Sequence, residues 1–372
     1  MNWLLLESYY DGSHRQLVDG LLRHVCPDAP LWTLPGRKWK WRMRGAALEF
    51  ARRMETERPA IDGIFVTSLT NAAEFRGLLA RAGLDRTLAV YFHENQLAYP
   101  IQHFDQRDHH FAWTNLHSAL VADRLAFNSR FNLESFLEGM DQVIRKMPDA
   151  RPRGLLELVR ERAKILPVPI EDPPADREKR SGPCHIVWNH RREFDKGAET
   201  LLAVVRSLRD RDLRFRFSLL GQRFEASPPE FAEVAATLGS RLVHDGFVES
   251  RDAYWRILGS ADVALSTAEH EFQGLAVLEG CAAGATPLVP DALAYRELFP
   301  VEWRYRGRGD LVQKLERRIR EVEALRATDP RPAALKFTWS ALAPDWQRWL
   351  GEGTADAGSI PPPNTSPAPP RG

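Results

Sequence analysis

"AEHEFQGLAVLEGCAAGATPLV", residues 268–289, decides how this chain is read. It continues the apolar run "DVALS" (262–266), turns polar at Glu269, His270 and Glu271, and meets a glycine at Gly274. A helical stretch follows, carrying Glu279, and a second apolar run, "TPLVP", closes the unit. Strand, loop, helix and strand in that order describe one turn of a parallel α/β sheet.

The same pattern extends in both directions. "CHIVWN", "FRFSLLG", "RLVHDGF", "DVALS" and "TPLVP" are strand-like runs, separated by helical stretches such as "ETLLAVVRSLRDR". The first half repeats the pattern with "WLLLES", "APLWTLP", "GIFVTS", "LAVYFHEN" and "RLAFNS". Its helices include "GSHRQLVDGLLRHV", "GAALEFARRM" and "NAAEFRGLLARAG", the last closed by a glycine. The expected architecture is two doubly wound domains with a cleft between them, residues 1–165 and 184–350. The proline- and charge-rich stretch 166–183, "LPVPIEDPPADREKRSGP", is read as the linker. "SALAPDWQRWL" reads as a terminal helix of the second domain, and 351–372, without apolar periodicity, as a disordered tail.

Bulk properties agree with this and exclude several classes. A chain of 372 residues, 44% hydrophobic and 27% charged, has room for two cores. No apolar run approaches a membrane span, and "MNWLLLESYY" lacks the basic leader of a signal peptide. Cys26, Cys184 and Cys281 are scattered without metal or redox spacing, which suits a cytoplasmic protein. With 51 Lys+Arg against 50 Asp+Glu, contact with nucleic acid has to come from a local patch.

Chemistry is expected at the carboxyl ends of the strands. In the second half, Glu271 and Glu279 are separated by seven intervening residues, Gly274 among them. The glycine lets backbone N–H groups approach a phosphate or sugar, and the glutamates can accept bonds from sugar hydroxyls. "VWNHRREFDKG" follows the first strand of this half, and its Arg191 and Lys196, five apart, are candidates for a diphosphate. Both features sit at strand ends of one domain, so they can converge on one ligand. Asp210-Arg211-Asp212 is the nearest match to a metal-binding Asp-x-Asp and reads as a solvated turn.

In the first half, Gly12 and Ser13 form a tight turn opening a helix, and His14 can reach phosphates or an acceptor. His93, Glu94, Asn95 and Gln96 follow the strand "LAVYF", where four polar groups argue for a ligand and against packing. "HFDQRDHHF" (103–111) fits no metal spacing and reads as an acceptor loop. Ser129 suits an N-cap. "GRKWKWRMR" puts Arg37, Lys38, Trp39, Lys40, Trp41, Arg42 and Arg44 at a loop and helix entry. One tryptophan can belong to the core. The five cations favour phosphate contacts, with tryptophan free to stack on bases or sugars.

The second-half constellation resembles the retaining GT-B glycosyltransferases of the glycogen-synthase-like superfamily, with their Arg-(x)4-Lys and Glu-(x)7-Glu motifs. The resemblance implies that Arg191 and Lys196 hold the donor diphosphate, Glu271 the donor sugar and Glu279 the ribose. It places Phe247, at the start of "GFVESRDAYWRILGSADVALS", near the base, and His93 on the donor sugar or acceptor. It also implies front-face displacement without a metal or other cofactor. Glu271-Phe272-Gln273-Gly274 departs from the usual Glu-Gly-Phe-Gly of that superfamily.

"YYDGSHRQLVDGL", "TLPGRKWKWRMR", "YFHENQLAYP", "LVADRLAFNSRFNLESFL", "VWNHRREFDK" and "TAEHEFQGLAVLEG" together resemble the tRNA-queuosine mannosyltransferases and their bacterial relatives over residues 1–350. That narrower resemblance implies GDP-mannose as donor and the queuosine cyclopentenediol of an aspartate tRNA as acceptor. Two other expectations stay open: the same fold acting on a lipid or small glycan, and a non-catalytic RNA-binding protein.

Overall fold

Every apolar run singled out above is a strand in the computed structural model, which describes residues 1–98, 109–175, 180–224 and 226–351. The tail and residues 103–108 of the histidine-rich stretch lie outside the described residues. The first sheet holds β1 (Trp3–Tyr10), β2 (Leu31–Pro35), β3 (Gly63–Thr67), β4 (Thr87–Phe92), β5 (Arg124–Phe127) and β6 (Ala163–Ile165). The second holds β7 (Cys184–Asn189), β8 (Phe215–Leu220), β9 (Leu242–Gly246), β10 (Val263–Leu265), β11 (Thr286–Pro290) and β12 (Arg304–Tyr305). Among the described residues all pairings are parallel, for example Leu5 with Phe65 and Ala264 with Val187.

The runs are continuous because both faces of each central strand are covered; all five residues of β3 are buried. Helices start where a short polar side chain follows a strand. Asp11, Asn71, Ser129 and Ser250 each accept a backbone N–H at the helix they open. Two strands were not foreseen, β6 and β12. They are edge strands of 3 and 2 residues, too short to carry a periodic signal.

The sheet orders are β2-β1-β3-β4-β5-β6 and β12-β11-β10-β7-β8-β9. In each, the order reverses beside the first strand, between β1 and β3 and between β7 and β10. Such switch points leave an open crevice at the strand ends.

The chain divides into residues 1–166 with 345–372, and residues 167–344. This differs from the sequence reading in two places. Leu166, Val168 and Ile170 are buried at every second position, and Ile170 packs in the second unit's core with Ala334 and Val289. Most of "LPVPI" is therefore part of the second unit. The helix Trp339–Gly351 contains Pro344, and its residues from Asp345 onward belong to the first unit. Trp346 meets the Tyr91 ring at 5.0 Å, and Trp349 stands edge-on to Phe65 at 6.4 Å. Arg124 Nη1 donates to the Trp349 carbonyl at 3.0 Å and also to that of Leu350. No described helix is long and apolar enough to cross a membrane.

Candidate active sites of the two units

In the second unit, β7 ends at Asn189 and the chain turns through a short 3-10 segment, Phe194–Lys196, into the helix Ala198–Arg209. Gly197 makes the turn possible. Its φ is +67°, and a Cβ there would lie 2.0 Å from the Thr267 carbonyl oxygen. This close approach carries Lys196 to the loop after β10. The Lys196 Nζ donates to the His270 carbonyl at 2.9 Å and pairs with Asp195 at 2.9 Å and Glu271 at 3.6 Å. Burial works against the ammonium, but Glu271 and Asp195 outweigh it and hold its pKa above the usual value. Burial likewise pushes the Glu271 carboxyl up, and Lys196 with neighbouring groups overcomes this, holding it down at about 2.

Arg191 behaves differently from its neighbours. Its side chain is 46% exposed and touches Glu193 at 3.0 Å. Arg192 points inward, buried, to the Leu219 carbonyl at 2.8 Å and to Asp245. His190, absent from the sequence reading, is buried against Trp188 and kept neutral at about 4 by burial and by Lys196. Its only signal in sequence was its place one residue beyond β7.

Glu279 is buried on the helix Leu275–Ala282 and accepts from Arg251 at 2.9 Å and from the Tyr254 hydroxyl. Asn189 in turn donates to Tyr254 at 2.7 Å, which ties Glu279 to the end of β7. Gly274, with φ +77°, caps this helix, and a Cβ would sit 2.7 Å from the Tyr295 ring. Phe272 is buried, edge-on to His270 at 4.4 Å. The side chain of Gln273, expected on the donor, is spent elsewhere: it donates to the Val168 carbonyl at 2.8 Å and accepts the Val168 N–H at 2.9 Å. Phe247 is 67% exposed, beside an open pocket of about 610 Å³ lined by Gln222, Arg223, Asp245 and Gly246. Asp210 and Asp212 are exposed in the turn after the helix Ala198–Arg209.

In the first unit, the switch point holds Glu7, His14, His93 and Glu94. Asp11 caps the helix Gly12–His24 through the Gly12 N–H, and Ser13 is half-buried in the first turn. His14 Nδ1 lies 3.1 Å from Glu7 Oε1, and Nε2 lies 3.2 Å from Glu94 Oε2. The His14 and His93 rings stack at 4.0 Å with 29° between their planes. Burial lowers the His14 pKa, yet Glu7 and Glu94 raise it to about 10. Burial and the charge on His14 together hold His93 well below its usual value. With both nitrogens on carboxylates, His14 has no N–H left for a phosphate. Glu7 was missed because it reads as an interruption in an apolar strand.

Asn95 is a correction. It is fully buried, donating to Asn132 and Ser135 and accepting the N–H groups of Leu97 and Ala98. Its polarity serves to hold the loop together, and nothing remains for an acceptor. Gln96 is half-buried, its N–H on Asn115.

The basic-aromatic stretch lies beside the same turn, since a Cβ on Gly36 would fall 2.3 Å from that of Asp11. Lys38, at φ 55°, precedes the helix Trp39–Glu57, which has no side-chain cap and no acidic residue in its first turn. Trp39 is half-buried against Phe111 at 5.2 Å, and Trp41 is 75% exposed. Arg37, Lys38, Lys40 and Arg44 are exposed, with Arg44 over the Phe111 ring. Arg42 donates to the Pro35 carbonyl at 3.1 Å. Cations at a helix start oppose the helix dipole, a cost that an anionic ligand would offset.

Glu7, His14 and His93 offer ligand atoms within 4.8 Å of one another, the geometry that most invites a metal ion among the described residues. Lone pairs lie in the ring planes, however, and two stacked rings do not aim theirs at one point. As arranged, the cluster is suited to hydrogen bonding.

Two parallel sheets with these orders, each with polar groups gathered at its switch point, make this a GT-B glycosyltransferase fold. Solved structures it resembles include HepE of Anabaena in complex with UDP, 13% identical with a TM-score of 0.67 over 94% of this chain and 100% of that one. Sucrose-phosphate synthase from Thermosynechococcus elongatus is 16% identical, with a TM-score of 0.71 over 94% and 98%. The family described as tRNA-queuosine alpha-mannosyltransferase N-terminal matches residues 2–170. The tRNA-queuosine alpha-mannosyltransferase of Drosophila melanogaster is 35% identical over 324 residues, covering 84% of this chain and 85% of that protein. The chain belongs to the tRNA-queuosine alpha-mannosyltransferase family and is a glycosyltransferase.

Proposed function

We propose that this enzyme moves mannose from GDP-mannose to the queuosine of an aspartate tRNA, in the cytoplasm, with retention and without a metal. The observation that carries the donor half is the Lys196 ammonium, buried against Asp195 and Glu271 at the end of β10, with the exposed Arg191 guanidinium five residues before it. In this reading both cations meet the diphosphate, and they stabilise the negative charge that grows as the sugar leaves. Glu271, ionised by its surroundings, takes the sugar hydroxyls, and Glu279 takes the ribose once Arg251 or Tyr254 shares it. Gly274 and the backbone around Phe272 and Gln273 form the floor, and Phe247 offers its ring to the base.

His93 is the first-unit group assigned to the reacting sugar or the acceptor, with Glu94 beside it. The exposed cations Arg37, Lys38, Lys40 and Arg44 and the exposed Trp41 take the tRNA. The Drosophila relative, named for action on tRNA queuosine, supports this choice over a lipid or glycan acceptor.

The test offers purified protein GDP-mannose and UDP-hexoses, with and without queuosine-containing tRNA, and weighs the nucleosides. A hexose added to queuosine only from GDP-mannose is expected, undiminished by a chelator and with the donor's anomeric configuration by NMR. Transfer from UDP-hexose alone, or to lipid alone, would reject it.

A further inference from the structure

Glu7 lies three residues from the end of β1, a strand flanked by β2 and β3, where apolar side chains are the rule. Its carboxylate is fully buried. Burying a charge there is costly unless it is paired and hydrogen-bonded. Oε1 accepts the Tyr9 N–H at 2.8 Å, the Thr67 hydroxyl at 3.0 Å and His14 Nδ1 at 3.1 Å. Across the ring, Nε2 faces Glu94 Oε2, whose other oxygen accepts from Ser68 at 3.3 Å.

An ionised carboxylate only accepts, so an imidazole between two of them carries a proton on each nitrogen. Held between these two carboxylates, which raise its pKa to about 10, His14 is read as an imidazolium with both donors committed. That ring is the platform on which His93 stacks, and the Tyr91 ring stands edge-on at 4.9 Å from His93 on another side. His93 is 3% exposed, and among the described residues neither of its ring nitrogens has a hydrogen-bond partner. A buried imidazole that the protein leaves unsatisfied is set aside for something else. The cation beneath it discourages a second proton, so His93 keeps one donor and one acceptor.

We propose that Glu7 is a positioning residue for sugar transfer: it locks His14 against Glu94, and the locked ring sets the orientation of His93 toward the hydroxyl-bearing substrate. This rests on the reading of His93 given above. Among the described residues, the groups around the two rings are Glu7 and the Tyr9 ring from β1, Tyr91 and Glu94 around the end of β4, and the Thr67 and Ser68 hydroxyls at the end of β3, which bond the two carboxylates.

Glu7→Gln keeps the size and the bonds to Tyr9 and Thr67 but cannot hold the charge on His14. It is expected to lower kcat about 100-fold, with the KM for donor changed less than about threefold. Glu7→Asp, which keeps the charge, is expected to recover part of the loss. In NMR at about pH 8 the wild type should show two protonated nitrogens on the His14 ring and E7Q only one. Should E7Q fail to fold, Thr67→Val removes only one of the bonds that aim the carboxylate and is expected to cut kcat about 3- to 10-fold in a protein that still folds, with a modestly lowered melting temperature. Wild-type kcat per folded molecule in E7Q, or in T67V where that stands in, overturns the proposal, as does an unchanged His14 ring. A wild type that transfers no sugar overturns the proposed function instead. The ring resonances then still decide whether Glu7 locks His14.

Discussion

Arg191 and Lys196 are given the same partner, a diphosphate, yet one stands half in water and the other is buried. Their substitutions should therefore separate binding from stability. Arg191→Gln is expected to weaken GDP binding about tenfold or more by calorimetry. Its melting curve should stay within about 0.5 kcal/mol of wild type. Lys196→Met strands Asp195 and Glu271 and is expected to cost about 3–5 kcal/mol in denaturant unfolding besides abolishing turnover. The titrating groups predict opposite pH limbs. His14 is raised from 6.5 to about 10, so its contribution to stability is full below pH 6.5 and is lost as pH rises through about 10. Glu271 is lowered from 4.5 to about 2, so its contribution is present above pH 4.5 and is lost as pH falls through about 2. Denaturant unfolding across pH should show both limbs, with the alkaline one flattened in H14Q.

At the scale of the element, the start of the helix Trp39–Glu57 is built against its own stability. Lys38 and Lys40 sit at the positive end of the helix dipole with no acidic residue to offset them. Replacing each with Gln is expected to stabilise the protein by about 0.3 kcal/mol, read from its melting temperature. The same changes together with Arg37→Gln should weaken tRNA binding and flatten its log–log salt dependence by roughly two. Trp41→Ala should cost about 1–3 kcal/mol of tRNA binding if its ring stacks on a base. Because Trp41 is exposed, folding should not suffer, whereas Trp39→Ala removes packing on Phe111 and is expected to destabilise. Opposite signs for folding and binding at one helix end are what a surface shaped for an anion produces.

At the scale of the whole molecule, the chain passes between its two units twice, at residues 166–167 and 344–345. The second passage returns Trp346, Trp349 and Leu350 to the first unit's core, where all three are buried. Trp3 Nε1 also donates to the Leu350 carbonyl, at 3.1 Å. Deleting residues 345–372 should therefore destabilise the first unit by more than about 3 kcal/mol, although the cut is remote in sequence. Calorimetry is expected to show one transition lowered and the other retained.

The sequence by itself determined most of the strands, their parallel character and the cation-and-glutamate spacing, because these depend on local periodicity and on spacing within one loop and helix. Ten strands were legible for this reason, and so was the spacing of Arg191, Lys196, Glu271 and Glu279; the role of the two cations on a ligand is what the substitutions above test. Only the tertiary structure decided which polar groups are spent on the protein. Asn95 and Gln273 look like ligand contacts in the chain, but Asn95 closes onto its own loop and onto Asn132 and Ser135, and Gln273 onto the Val168 backbone 105 residues away. Glu7 looks like a flaw in a strand, and it gains its meaning from His14, 7 residues on, and from Glu94, 87 residues on. Hydrogen-bond satisfaction and burial of charge are set by neighbours in space, and no local pattern records them.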